Sequence, residues 1–282
     1  MLRSLIFAIL SALVVRAQPA RIVSTSPSIT ETLFALDLGD RVVGVTTYCR
    51  FPAAALSLPK IGTYSKPDPE KIALLRPDLV IIHKSAAVLA GRLKALGIRY
   101  AEVNVGSLAE VYTMIEDIAR AASVSNRGEK LNREIRRKLD ALRAESQSKA
   151  KPRVLILVGR NPGLLTDLVA VGHDTYLDEL LEIAGGINAL TATPVTYPHI
   201  SLETVVRLNP DVILDSSVMG EAGFDAVAYQ VRLRQPWLTH RELTAVQAGR
   251  IFGITSESLV TPGPRVVEAV ELIREKIKAH KP

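Results

Sequence analysis

The stretch EKIALLRPDLVII, residues 70–82, occurs again later in the chain as ETVVRLNPDVILD, residues 203–215. In both copies a proline follows the glutamate by seven positions, and an aspartate follows the proline. The acidic start and the Pro-Asp stop predict a helix of about two turns, and the β-branched run after it predicts a strand buried on both faces. The repeat therefore predicts two similar α/β lobes with a cleft between them, and ligands commonly bind in such a cleft.

Around each copy, strand patterns alternate with helix patterns. Predicted strands span residues 21–24, 42–46, 79–83, 100–103, 153–158, 212–215 and 249–254. Predicted helices span residues 28–36, 86–96, 107–122, 125–146, 175–184, 202–208, 225–233 and 264–280, and a further helix begins at Pro69. The alternation predicts an α/β fold with two similar lobes, each a mainly parallel sheet flanked by helices.

One predicted helix is much longer than the others. Between residues 125 and 146 the apolar residues Leu131, Ile135, Leu139 and Leu142 recur every three to four positions among charged residues. This spacing predicts an amphipathic helix about 33 Å long. We expect it to join the two lobes as a rigid rod.

The chain begins with a pattern typical of a secretory signal. Arg3 precedes an almost wholly apolar run over residues 5–15, and Ala17 and Ala20 are small residues suited to cleavage. The run is well short of the roughly 20 residues that span a bilayer, so we favour a cleaved signal over an uncleaved anchor. The only cysteine, Cys49, lies too far in to carry the lipid of a lipoprotein, which favours a periplasmic protein.

These patterns divide the chain into four segments. We expect a signal peptide over residues 1–20, an N-terminal lobe over 21–106, a helical connector over 107–151 and a C-terminal lobe over 152–282. Lobes of about 100 to 150 residues are large enough to build their own hydrophobic cores.

The charge balance is mildly basic, with a formal net charge of +6 at pH 7. Residues 127–151 hold nine Lys and Arg against four Asp and Glu, without an aromatic residue among them. Nucleic-acid-binding surfaces add aromatics or a groove-binding motif, so we interpret this stretch as a solvated helix face and expect no nucleic-acid partner. The sequence has no Gly-x-Ser-x-Gly elbow, phosphate loop or cysteine cluster, so we do not expect an enzyme.

Several candidate binding residues follow predicted strands. Loops at the carboxyl ends of parallel strands line the crevice of an α/β sheet, which places Ser26, residues 46–51, His83, Arg160 and Ser216 at the cleft. The Arg160 guanidinium could pair with carboxylates of a ligand, or it could be an ordinary surface arginine.

Three of the residues after these strands could coordinate a metal. Tyr48 offers a phenolate and Cys49 a thiolate, both of which bind haem iron, and the His83 imidazole binds iron or cobalt. Each also has a structural alternative, since an unpaired cysteine is commonly buried as a small hydrophobe and a lone histidine is commonly just hydrogen-bonded.

A set of motifs in fixed order resembles one protein family. They are RIVSTSPSITE at 21–31, the two Glu-to-Pro-Asp stretches, GGIN at 185–188, Trp237 ahead of AVQAGR at 245–250, and PGPR at 262–265. Together they resemble the helical-backbone periplasmic binding proteins that deliver cobalamin, haem or ferric siderophores to ABC importers. The sequence VTTYCRFP at 45–52, followed by KIG at 60–62, is most similar to the cobalamin-binding branch.

The resemblance implies a rigid, two-lobed receptor that binds a corrinoid between its lobes and delivers it to an ABC transporter permease dimer. It implies ligand contacts at Tyr64, Tyr197 and His83, where a histidine replaces the expected aromatic. It also implies that Glu70 and Glu203 dock on permease arginines, although either could serve only as a carboxylate stabilised by a helix dipole. We expect a monomer with a small-molecule metal chelate as ligand and no resident cofactor or metal.

Other functions stay open beside the corrinoid receptor. A ferric siderophore or haem binding protein is the first alternative. A direct zinc or manganese receptor shares the architecture but needs three or four His and carboxylate ligands converging on the ion, and the five histidines here are scattered. A sensor or scaffold with the same fold is a further alternative.

Overall fold

The computed structural model describes residues 18–146, 151–190, 193–216 and 226–278. The predicted signal sequence falls on residues 1–20, of which 1–17 lie outside the described residues. Within the described ranges, no helix combines the length and the apolar character needed to cross a bilayer.

The first sheet is built from four parallel strands. They are β1 (Ile22–Ser24), β2 (Val42–Gly44), β3 (Leu79–His83) and β4 (Tyr100–Val103), in the order β2-β1-β3-β4. The helices among them are α1 (Pro27–Ala35), α2 (Pro69–Leu74) and α3 (Ala87–Ala95). Each of these elements was predicted to within a few residues.

Two helices connect the sheets, α4 (Leu108–Ala121) and α5 (Ser125–Ser146). Ser107 caps α4 in a full capping box, because its hydroxyl accepts a hydrogen bond from the Glu110 amide while the Glu110 carboxylate accepts one from the Ser107 amide. Both helices agree with the sequence prediction, and α5 has the predicted bounds.

The second sheet is mixed. Its strands are β5 (Arg153–Gly159), β6 (Leu168–Ala170), β7 (Ile187–Asn188), β8 (His199–Ile200), β9 (Val212–Asp215) and β10 (Ile251–Gly253). Their order is β10-β9-β5-β6-β8, with β7 also pairing with β5. The helices are α6 (Tyr176–Ala184), α7 (Leu202–Leu208), α8 (Ala226–Arg234), α9 (Thr244–Gln247), α10 (Glu257–Val260) and α11 (Val266–Lys278).

The second lobe differs from the prediction in its short elements. The prediction has no strand at the positions of β6, β7 and β8, and β6 pairs antiparallel with both β5 and β8. The four-residue helices α9 and α10 were also missed. Elements of two to four residues are too short to show a hydrophobic period, so a periodicity argument cannot detect them.

The repeated stretch forms the predicted unit in both lobes. Its first copy becomes α2 followed by β3, and its second becomes α7 followed by β9. Every residue of both strands is buried, as expected for strands covered on two faces. Both copies have a residue with positive φ directly before the proline, Arg76 (φ 45°) after α2 and Asn209 (φ 41°) at the end of α7.

Alternate residues of the two sheets pack into different cores. Val80 and Ile82 of β3 face outward onto α2 and α3, and Ile213 of β9 faces outward onto α7 and α8. Leu79 and Ile81 of β3 face inward into a cluster that also holds residues from α1, α4, α5, α6, α11 and the second sheet. The described residues therefore form five layers, which are outer helices, the first sheet, a central layer of helices, the second sheet and further outer helices. The central layer packs against both sheets.

The long helix α5 is part of this central layer, so it is not a rod standing free between the lobes. Ile135 and Leu139 are buried in the shared cluster, and Leu131 and Leu142 pack at its edge. At Gly128 the helix approaches α4 so closely that a Cβ would lie 2.6 Å from the Cβ of Ala119. The connector is thus packed against its neighbours along its length.

A buried ion pair links the two lobes. Arg265, immediately before α11, donates from Nε to Oε2 of Glu31 on α1 at 2.8 Å and from Nη2 to Oε1 of the same carboxylate. The Glu31 side chain is 2% exposed and that of Arg265 is 12% exposed. Burial raises the pKa of Glu31, although the hydrogen bond and charge of Arg265 act in the opposite direction.

We predict that Arg265→Met destabilises the fold by about 3–5 kcal/mol at pH 8, because Glu31 is left buried without its partner. Without Arg265 the folded-state pKa of Glu31 rises further above its unfolded value. A proton bound to Glu31 in the folded state neutralises the buried charge, so the destabilisation caused by Arg265→Met should shrink as the pH falls towards 5. Urea unfolding at both pH values measures the difference.

The double variant Glu31→Gln/Arg265→Met is the control, since it has no ionisable carboxylate at position 31. Its stability relative to the native protein should depend much less on pH. An Arg265→Met penalty that is the same at pH 5 and pH 8 would contradict the prediction.

Candidate functional site

A cavity of about 540 Å³ lies between the two lobes and is called here the inter-lobe cavity. One wall is formed by segments at the carboxyl ends of β1, β2 and β3, which contribute Ser26, Tyr48, Tyr64 and His83. The other wall is formed by α10 and the loop after it, from Glu257 and residues 260–262. Its position agrees with the general rule for ligand sites in α/β sheets.

His83 and Ser26 form the centre of the first wall. His83 Nε2 lies 2.9 Å from Ser26 Oγ, and the His83 ring meets the edge of Tyr64 with centroids 5.6 Å apart at 72°. Ser26 is the N-cap of α1, and its hydroxyl accepts a hydrogen bond from the Ile29 amide. Burial lowers the pKa of His83, which favours the uncharged imidazole.

An ion pair joins the two walls of the inter-lobe cavity. Arg50, in the loop after β2, lies 3.3 Å from the carboxylate of Glu257, the first residue of α10. Both side chains are partly exposed, so the pair stabilises the fold only weakly. Its importance is positional, because a ligand entering the cavity meets both charges.

Cys49 is fully buried behind the first wall. Its sulfur lies 3.1 Å from the hydroxyl oxygens of both Thr30 and Thr46, and the side chain is not among the described residues that line the inter-lobe cavity. The thiol is therefore placed as a small buried side chain with two polar neighbours, the alternative considered for it from sequence.

Arg160 and Ser216 follow strands of the second sheet, as predicted, but both side chains make contacts within that lobe. Arg160 Nε donates to Asp215 Oδ2 at 2.7 Å, and its other nitrogens donate to the carbonyls of Leu164 and Leu233. The Arg160 and Asp215 side chains are 1% and 0% exposed. Ser216 Oγ donates to the Leu157 carbonyl at 3.0 Å.

Tyr197 lies in the segment before β8 and is 42% exposed. Partial burial raises the pKa of its hydroxyl. The described lining of the inter-lobe cavity includes Tyr64 but not Tyr197.

Glu70 and Glu203 occupy equivalent places in the two lobes. Each lies in the first turn of its helix, after the N-caps Asp68 and Ser201, and both are exposed. The Ser201 hydroxyl and the Glu203 backbone amide lower the pKa of the Glu203 carboxyl by hydrogen bonding. Both carboxylates are thus presented to solvent on separate lobes, which a docking role requires.

The second wall of the inter-lobe cavity is not among the predicted site residues. Glu257, Val260, Thr261 and Pro262 lie between the strand predicted to end at residue 254 and the helix predicted to begin at residue 264, where no element is predicted. A usable signal existed, since Ser256 precedes Glu257 and caps α10. Within the described residues, no group of three or more His, Cys, Asp or Glu is arranged to hold a metal ion.

Comparison with known proteins identifies relatives over nearly the whole chain. The family model described as "Periplasmic binding protein" matches residues 22–258. YvrC of Bacillus subtilis, an uncharacterized ABC transporter substrate-binding lipoprotein, is 32% identical over 93% of this chain and 81% of that protein. The vitamin B12-binding protein of Vibrio cholerae is 30% identical over 92% of this chain and 89% of that protein.

Solved structures of similar proteins have the same fold as this chain. The periplasmic vitamin B12-binding protein BtuF of Vibrio cholerae superimposes with a TM-score of 0.76 at 26% identity, covering 93% of this chain and 97% of that one. The periplasmic heme-binding protein RhuT of Roseiflexus sp. RS-1 superimposes with a TM-score of 0.78 at 30% identity, covering 91% of this chain and 97% of that one.

We predict that Ser26→Ala lowers the free energy of unfolding by about 1.5–3 kcal/mol. The change removes both an N-cap and the buried hydrogen bond to His83, worth about 1 kcal/mol each. Ser201→Ala, which removes the exposed N-cap of α7, is the matched control and should lose only about 1 kcal/mol. Urea unfolding of both variants tests this, and equal losses would show that the His83 bond adds no stability.

Proposed function

Because this chain belongs to the periplasmic binding protein family, we propose that it is the substrate-binding component of an ABC importer and that it binds a corrinoid in the inter-lobe cavity. A location in the periplasm, after cleavage of the signal peptide, is part of the same proposal. The observation that carries it is the cavity itself, which lies at the strand ends and takes its walls from both lobes.

The lining of the cavity suits a large, mostly apolar ligand with polar substituents. Tyr48, Tyr64, Val105 and Val260 supply apolar and aromatic surface, while Ser26 and Ser28 supply hydroxyl groups. Tyrosine rings bury much area with little loss of rotamer freedom, and their hydroxyls can bond amide groups at a macrocycle's rim. The likeness to a vitamin B12-binding protein in both sequence and fold supports a corrinoid.

Haem is the second candidate, with ferric siderophores after it. The likeness to a heme-binding protein and the two phenols in the cavity favour haem, because a phenolate can coordinate haem iron. Among the three candidate axial donors, Tyr48 and His83 line the cavity, whereas the thiol of Cys49 lies against two threonines. A nitrogen or oxygen donor is therefore favoured over a thiolate for any of these chelates.

We expect calorimetric titration to detect binding of cyanocobalamin or cobinamide, with haemin and a ferric siderophore as comparison ligands. Tyr64→Ala should weaken corrinoid binding by about tenfold or more, since an aromatic side chain that the ligand covers contributes about 1.5–3 kcal/mol. Tyr64→Phe keeps the ring and is the matched control, expected to bind within a few-fold of the native protein. No heat or spectral change with any corrinoid would refute the first choice, and binding of haemin alone would establish the alternative.

Docking on the permease through Glu70 and Glu203 is a further part of the proposal. The double variant Glu70→Lys/Glu203→Lys should abolish uptake of the ligand while leaving its affinity unchanged, because both side chains are exposed and lie outside the described lining of the cavity. Glu129→Lys/Glu182→Lys reverses two other exposed charges and is the control. Uptake by cells that depend on each variant is the measurement, and normal uptake with the first double variant would contradict docking.

A further inference from the structure

A second cavity, called here the side cavity, adjoins the inter-lobe cavity within the first lobe. Its volume is about 390 Å³, and it lies between the start of α2 and the start of α3. Tyr64, Ser65 and His83 line both cavities and so form a shared wall between them. The two cavities are therefore neighbours that share these three side chains.

The described lining of the side cavity is positively charged. Lys66 and Arg92 line it, and no Asp or Glu is among its described lining residues. Within the described residues neither cation forms an ion pair or side-chain hydrogen bond, while the neighbouring carboxylate of Asp68 caps α2 and lies near Lys71. Two uncompensated cations in a concave surface raise the local concentration of anions.

Other groups in the side cavity are hydrogen-bond donors or uncharged. Ser85 contributes a hydroxyl, and α3 begins without a side-chain cap, which leaves backbone N–H groups available at the same place. His83 is 7% exposed and bonds Ser26 through Nε2, while its Nδ1 makes no hydrogen bond within the described chain. This donor-rich lining suits an oxyanion and gives no favourable place to a cation.

The charges of the inter-lobe cavity are arranged differently. Its described lining has one cation and one carboxylate, and Arg50 and Glu257 are paired with each other at 3.3 Å. An anionic substituent therefore meets opposing charges there but meets only cations in the side cavity.

We propose that the side cavity binds an anionic arm of the ligand, a phosphodiester or carboxylate group, while the metal chelate occupies the inter-lobe cavity. This inference rests on the proposed function and adds a rule of selectivity to it. Among chelates that fit the inter-lobe cavity equally well, those with an anionic arm bind more tightly. Cobalamin has such an arm in the phosphodiester of its nucleotide loop, cobinamide lacks it, and haem carries two propionates.

The test compares cyanocobalamin with dicyanocobinamide on the native protein and on Lys66→Gln/Arg92→Gln. We expect the double variant to lose about tenfold in affinity for cobalamin, equivalent to about 1.4 kcal/mol, and to keep its affinity for cobinamide. The native preference for cobalamin should also shrink between low salt and about 1 M salt, where charges are screened beyond about 3 Å. Lys84→Gln/Lys94→Gln removes two exposed charges outside the side cavity and should change neither affinity.

Several results would overturn the inference while leaving the proposed function intact. If the double variant loses the same affinity for both corrinoids, or loses none for either, the side cavity does not hold the anionic arm. Normal affinities with reduced uptake mean that the basic surface meets the permease. If neither corrinoid binds, haemin and its dimethyl ester repeat the comparison, and failure of every chelate to bind refutes the proposed function together with the inference.

Discussion

Burial of both faces of both sheets is the constraint on which this structure depends. The inward faces of β3 and β9 are apolar and need a cover, and α1, α4, α5, α6 and α11 supply it as one layer common to both. Because that layer belongs to both cores, neither lobe can tilt without opening packed surface, and close packing resists even small displacements. The Glu31–Arg265 pair fixes the same interface where α1 meets the start of α11.

The regular part of this fold could be predicted from sequence because its signals are local. A capping box, an apolar stripe on α5 and the Pro-Asp stops each lie within a few residues of the element that they define. The shared central layer could not be predicted, since the same stripe fits a free rod and a buried helix equally well. The strand β6 and the edge strand β8 depend on tertiary pairing across long loops, for which the sequence carries no periodic signal.

The site shows the same division between local and distant signals. Ser26, Tyr48 and His83 line the cavity because strand ends place the residues that follow them, whereas Tyr64, which also lines it, was suggested only by the family resemblance. Arg160 also follows a strand, but it bonds Asp215 inside its own lobe, and no local signal distinguishes a guanidinium that turns inward from one that faces a ligand. The wall at residues 257–262 comes from the far end of the chain, so its meeting with Tyr48 depends on the complete fold.

The shared core has a kinetic consequence for any molecule that this protein captures. A receptor that closes by a hinge can hold its cargo by slow reopening, but one built on a common core has no such gate, and the residence time depends on surface contacts alone. Under the proposed function, an importer that discriminates between loaded and empty forms would have to sense the cargo itself at the mouth of the cavity, because the common core limits how far the lobes can move apart.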